Sequence, residues 1–154
     1  MLPQIRRYIL VNNSGSLLSF DANGRINIKE TAYRFNTAGE MEYVPLPDDD
    51  LGFIAAGTVA HGAEVVGDNE IDNRQTRYVG SQLQIEITHD EGAAADGTFT
   101  LYMAQGMAQG ELEEDASGYN TAEANKLEPI GSLTWESNGG DDEVMRSPIF
   151  EIGG

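Results

Sequence analysis

The chain has 154 residues, 40% of them hydrophobic, which suits one domain with a real core. Its 26 acidic residues against 9 basic ones leave a formal net charge of −17. Such a surface repels nucleic-acid phosphates and anionic membranes, and the absence of cysteine excludes disulfides, thiolate nucleophiles and cysteine-bound zinc.

Eighteen glycines and few helix-forming runs favour a β-rich, turn-rich fold. "IRRYILV" (5–11) reads as a first strand, stopped by "NNSG". The apolar run here is too short for an export signal, and no segment reaches transmembrane length, so synthesis in a cytoplasm without export is expected. "SLLSF" (16–20) and "RINIK" (25–29) flank "DANG" and predict a hairpin, with Ile26 and Ile28 on one face and Arg25, Asn27 and Lys29 on the other. "ETAYRFN" (30–36) reads as a further strand. "EMEYVPLP" (40–47) is extended, its two prolines marking an edge or a strand exit. Residues 48–73 fit strands joined by turns better than a helix.

"LQIEITHDEGAAADGTFTLYMAQG" (83–106) carries the clearest periodicity. Leu83, Ile85 and Ile87 alternate with polar residues, and so do Phe99, Leu101 and Met103, predicting a hairpin whose two strands face one core. The loop between them is too long for a tight turn and should be exposed. "MAQGMAQG" (103–110) lacks the lysine of a phosphate-binding loop and is followed by "ELEED", so it reads as a glycine-punctuated strand exit. Residues 111–126 form an acidic loop, and 129–137 and 143–152 are late strands around "NGGDD". Trp135 is expected in the core. Eight to ten strands at this spacing predict a single all-β domain over 1–154, an antiparallel, jelly-roll-like β-sandwich with long acidic loops.

Catalytic signatures are sparse. His61 and His89 stand in no metal-ligand spacing, and a metal site would need the fold to bring them together beside Glu64 or Asp90. No GxSxG elbow exists. Asp68, Glu70 and Asp72 alternate like a calcium loop but lack its central glycine and distal glutamate, so no cofactor is expected and calcium is the weaker alternative. Lysine and arginine are missing between Arg34 and Arg74 and again between Arg77 and Lys126. Arg6, Arg7, Arg25, Lys29 and Arg34 would make a basic docking surface if the N-terminal strands share one face.

"YILVNNSGS", "YVGSQLQIEIT", "DGTFTLYMAQG", "LEPIGSLTW" and "RSPIFEIGG" together resemble small β-sandwich structural proteins of tailed bacteriophages. The resemblance implies a non-enzymatic virion component in many copies, at the capsid surface as decoration, or at the neck or tail. Its partners would be other virion proteins, including further copies of itself, with neither nucleic acid nor membrane bound. Ile5, Tyr8, Ile9 and Val11 near the N-terminus, and Ile149, Phe150 and Ile152 near the C-terminus, are the candidate docking residues, since apolar termini need a cover from their own sheet or a neighbour. The competing reading is a carbohydrate- or calcium-binding module, with Tyr102, Tyr119 and Trp135 stacking on a sugar if they line one exposed face.

Overall fold

A computed structural model describes residues 2–20, 24–47, 49–50, 58–66, 70–89, 96–106, 127–136 and 143–153. The described strands are β1 (Ile5–Asn12), β2 (Leu18–Ser19), β3 (Arg25–Phe35), β4 (Met41–Pro45), β5 (Asp49–Asp50), β6 (Thr58–Val59), β7 (Glu64–Val66), β8 (Ile71–Asp72), β9 (Gly80–His89), β10 (Gly97–Gly106), β11 (Glu128–Trp135), β12 (Glu143–Arg146) and β13 (Phe150–Gly153). They build an antiparallel all-β sandwich. One sheet runs β11–β10–β1–β7, with β8 also on β1. The other runs β12–β9–β3–β4, with β13 also on β9 and β5 also on β3, and β2 pairs β6 alone.

The period-two alternation read from 83–103 fills the space between the sheets, but not as a hairpin. Strand β9 pairs with β3, β12 and β13, whereas β10 pairs with β1 and β11 in the opposite sheet. Leu83, Ile85 and Ile87 therefore meet Phe99, Leu101 and Met103 across the core. Alternation says that a strand has one apolar face; it does not distinguish two neighbours in one sheet from two strands facing each other.

The expected 16–20/25–29 hairpin is also replaced. Leu18 and Ser19 pair with Val59 and Thr58. "RINIK" and "ETAYRF" are one continuous 11-residue strand whose two edges are taken by β9 and by β4 with β5. Ile26, Ile28 and Ala32 point into the core on the predicted face. The late run 143–152 is broken at Ser147 and Pro148. Pro148 has no N–H for the ladder, and Ser147 substitutes for a strand residue there: its Oγ accepts from Ile85 N–H at 2.9 Å and its own N–H donates to Ile85 O at 3.0 Å. The turn at "NGGDD" and most of the loops at 48–57, 90–95 and 107–126 lie outside the described residues.

Strand β1 is buried on both faces. Tyr8 and Leu10 face the other sheet, while Ile5, Ile9 and Val11 form a second cluster with Ala104 on the outer side, against Tyr102 and Leu127. Arg6, of the same inward phase as Tyr8, is fully buried. Its Nη2 donates to Glu30 Oε1 at 2.6 Å and its Nε to the Tyr8 hydroxyl at 3.0 Å. This ion pair ties β1 to β3 across the core. Burial, then the Glu30 charge, pushes the Tyr8 phenol well above its ordinary range. Removing either charge alone would strand the other in an apolar interior.

Candidate docking face

The seven candidate docking residues are dispersed by the fold. Ile5, Tyr8, Ile9 and Val11 are each 0% exposed: Tyr8 lies in the core between the sheets and the other three in the outer cluster with Ala104, so their cover is their own domain. Ile152 is buried, and Phe150 is half-buried, its ring packed over Gly131 of the facing sheet. Ile149 alone is open, at 63%. The five N-terminal basic residues do not gather on one surface either: Arg6 is interior, Arg7 belongs to β1 of the other sheet, Arg34 pairs with Glu42, and only Arg25 and Lys29 share the outer face of the β3 sheet, where Lys29 pairs with Glu86, which also holds Arg146.

The other chemical candidates are likewise placed. His61 accepts the Gly15 N–H on Nδ1 at 3.1 Å, and the His89 side chain lies outside the described residues. The Asp72 carboxylate takes Arg74 in a fork, Nε to Oδ1 at 3.0 Å and Nη2 to Oδ2 at 2.6 Å, which holds it down at about 2. Asp68 lies outside the described residues; among those described, no three histidines or carboxylates gather around a common point. Trp135 is core, stacked on Phe99 with ring centroids 5.7 Å apart, and Tyr102 is half-buried, so neither offers an open platform; Tyr119 lies outside the described residues.

Exposed apolar side chains gather elsewhere, along β4, apart from Leu17, Val144 and Ile149. Pairing of β3 with β4 sets Tyr33 opposite Tyr43 and Phe35 opposite Met41, all on the outer face. Phe35 is 58% exposed, Met41 48% and Tyr43 56%. The two tyrosine rings touch, their centroids 5.9 Å apart. The Tyr33 ring lies across Gly80, its neighbour on β9, where any Cβ would collide with it. A groove of about 300 Å³ continues the surface past Thr31, Pro45 and Leu46 to Ile149. Strand β4 is also a sheet edge. Leu46 N–H bonds Glu30 O and Asn36 N–H bonds Glu40 O, so the alternate N–H groups, of Met41 and Tyr43, face away from β3. Pro45 has no N–H to offer and ends that edge.

Sequence reading passed over this strip because "TAYRF" and "EMEYVP" carry some apolar residues on each phase. Ala32 and Val44 go inward, and Tyr33, Phe35, Met41 and Tyr43 go outward. The available signal was the pair of aromatic positions of the outward phase next to a proline-marked edge.

Beside the strip, at the end of the sandwich, lies a broad cleft of about 660 Å³ between the β3–β4 connection and the 73–79 loop. Arg34, Arg74 and Arg77 line it. Arg34 Nε donates to Glu42 at 2.8 Å, and its guanidinium sits 5.7 Å from the Tyr78 ring centre. Buried Asn73 organises the loop: its Oδ1 accepts from Tyr78 N–H at 2.7 Å, and its Nδ2 donates to Tyr78 O at 3.0 Å. Comparison of the chain with family models, curated proteins and solved structures finds no match.

Proposed function

We propose that the chain is a non-enzymatic structural protein that assembles by docking the β4 strip on a second copy of itself. The particle is of the tailed-bacteriophage kind that its strands resemble, where it serves as capsid decoration or as a neck or tail accessory. The observation that carries the reading is the exposed strip of Phe35, Met41 and Tyr43 on one sheet face, beside the free edge of β4. Tyrosine, phenylalanine and methionine are the residues enriched where protein surfaces meet, and an apolar strip beside a free strand edge suits repeated contact between identical subunits. A twofold arrangement would bring the strip onto its own image.

Buried ionisable groups support the same reading, because they are engaged in holding the fold. Arg6 binds Glu30 across the core, and Glu86 gathers Lys29 and Arg146 on the outer face. The net charge of −17 sets the expected salt response. Copies repel one another at low salt, and screening leaves the apolar contact in place, so association strengthens as salt rises.

Hydrogen exchange tests the placement. Across a protein concentration series in moderate salt, amides of β4 should become protected with association, while the β7 and β8 edge keeps its exchange rate. Protection confined to other segments, with β4 unchanged, contradicts the assignment.

A further inference from the structure

We infer that the core binds one internal water beside the Arg6–Glu30 pair, held by Arg6 Nη1, Glu30 Oε2 and Ser81 Oγ. Arg6 and Ser81 are fully buried and Glu30 is nearly so. The ion pair is joined through one atom of each group, Arg6 Nη2 to Glu30 Oε1. The remaining terminal nitrogen and the remaining carboxylate oxygen are buried without a hydrogen-bond partner, and so is Ser81 Oγ. An unmade hydrogen bond in an apolar interior is costly, and more so on a charged group.

Strand pairing sets the three groups in one region of the core. Glu30 lies opposite Leu83 and Ala32 opposite Ser81, so Glu30 and Ser81 are diagonal neighbours on β3 and β9. Long side chains reach across that separation. Both residues belong to the inward phase of their strands, and Arg6 meets them from β1 of the facing sheet. The other inward side chains around them, Ile28, Ala32, Leu83 and Ile85, are apolar and offer no hydrogen bond. Ala32 and Ser81, which face each other, are also the smallest inward side chains of β3 and β9. They leave the space beside the ion pair to the guanidinium and one small molecule.

The chemistry of the three atoms selects that molecule. A guanidinium N–H only donates, a carboxylate oxygen only accepts, and a hydroxyl does either. The occupant must accept from Nη1 and donate to Oε2. An anion would satisfy Nη1 and be repelled by Oε2, and a cation would do the reverse. Water does both, and three protein partners are the usual complement of an internal water. Tyr8 is no substitute. Its hydroxyl accepts from Arg6 Nε at 3.0 Å and has one proton to give, so turning it on Glu30 still leaves Arg6 Nη1 and Ser81 Oγ unmet. The bound water extends the link between β1 and β3 to a third strand, β9.

Water oxygen-17 relaxation dispersion counts long-lived internal waters in solution, and a crystal structure of the intact protein locates them. The parent should show one long-lived water more than Arg6→Met with Glu30→Leu, which removes both charged partners. Its electron density should hold one peak within hydrogen-bond distance of Arg6 Nη1, Glu30 Oε2 and Ser81 Oγ. In Ser81→Ala, a small change that spares the ion pair, the water should remain and exchange faster. Equal counts in the parent and the double variant would overturn the inference. So would a guanidinium that takes both Glu30 oxygens directly with no peak beside it, or a peak that bromide replaces on soaking. Unchanged exchange in Ser81→Ala would overturn the assignment of Ser81 to the site.

Discussion

Strands β1 and β4 have similar appetites and opposite fates. Each carries apolar side chains on both of its phases. In β1 both phases are covered: Tyr8 and Leu10 by the facing sheet, Ile5, Ile9 and Val11 by a second cluster on the outer side. In β4 only Val44 is drawn toward the core, and Met41 and Tyr43 stand in solvent. The difference lies in what packs on the outer face. Tyr102 and Leu127 pack against the cluster of Ile5, Ile9 and Val11 on β1, whereas Met41 and Tyr43 of β4 stay about half exposed. Apolar content alone therefore cannot nominate a docking surface; what covers each face does.

That contrast can be broken at several points. The largest effect is expected inside β1. Arg6→Ala leaves Glu30 charged and unpaired in the core, and should cost about 3–5 kcal/mol in urea unfolding. The double change Arg6→Met with Glu30→Leu should recover much of that loss. If Arg6→Ala unfolds like the parent, the buried pair does not tie the sheets. Next, Ile9→Ala should cost about 2–5 kcal/mol, whereas Met41→Ala should stay within about 0.5 kcal/mol. Equal costs in the two strands would erase the distinction drawn here.

Smaller effects sharpen the picture of the cleft end. Arg77→Gly relieves left-handed backbone strain and should stabilise by about 0.5–1 kcal/mol, read as a raised midpoint at unchanged m-value. A drop in midpoint would mean that the arginine side chain holds the loop. The smallest expected effect concerns Asp72. Its carboxyl is depressed to about 2 by Arg74, so any stabilisation from the pair is present above the unfolded pKa near 4 and is lost as pH falls toward 2. Because the group is solvent-exposed, the check is its own titration by carboxyl NMR. The midpoint should rise toward the ordinary aspartate value in Arg74→Ala, and an unmoved midpoint would rule out the fork as the cause.

Much of the fold was legible in the residues. The first strand, the inward phases of Ile26 and Ile28 and of 83–87 and 99–103, the edge character of 40–47 and the core position of Trp135 all follow from period two and proline placement. Pairing partners were not legible, because β9 and β10 satisfy the same alternation as hairpin neighbours or as facing strands, and only long-range packing decides. The docking candidates suffered from the same blindness. Ile9 and Val11 look as available as Phe35 and Tyr43 until the neighbours of β1 and β4 are known. The arginine cleft was visible only as two gaps in the basic residues. Its assembly depends on Asn73 folding the 73–79 loop against Tyr33 and Arg34, a contact between segments some 40 residues apart.

The most direct test of self-docking through β4 is the solution mass by light scattering, for the parent and for Tyr43→Asp, at low and high salt. The parent should exceed its monomer mass of 16.7 kDa, more so at high salt, while Tyr43→Asp stays monomeric with an unchanged melting temperature. A parent that remains at 16.7 kDa at every concentration and salt, or a Tyr43→Asp variant that associates equally well, would contradict the account.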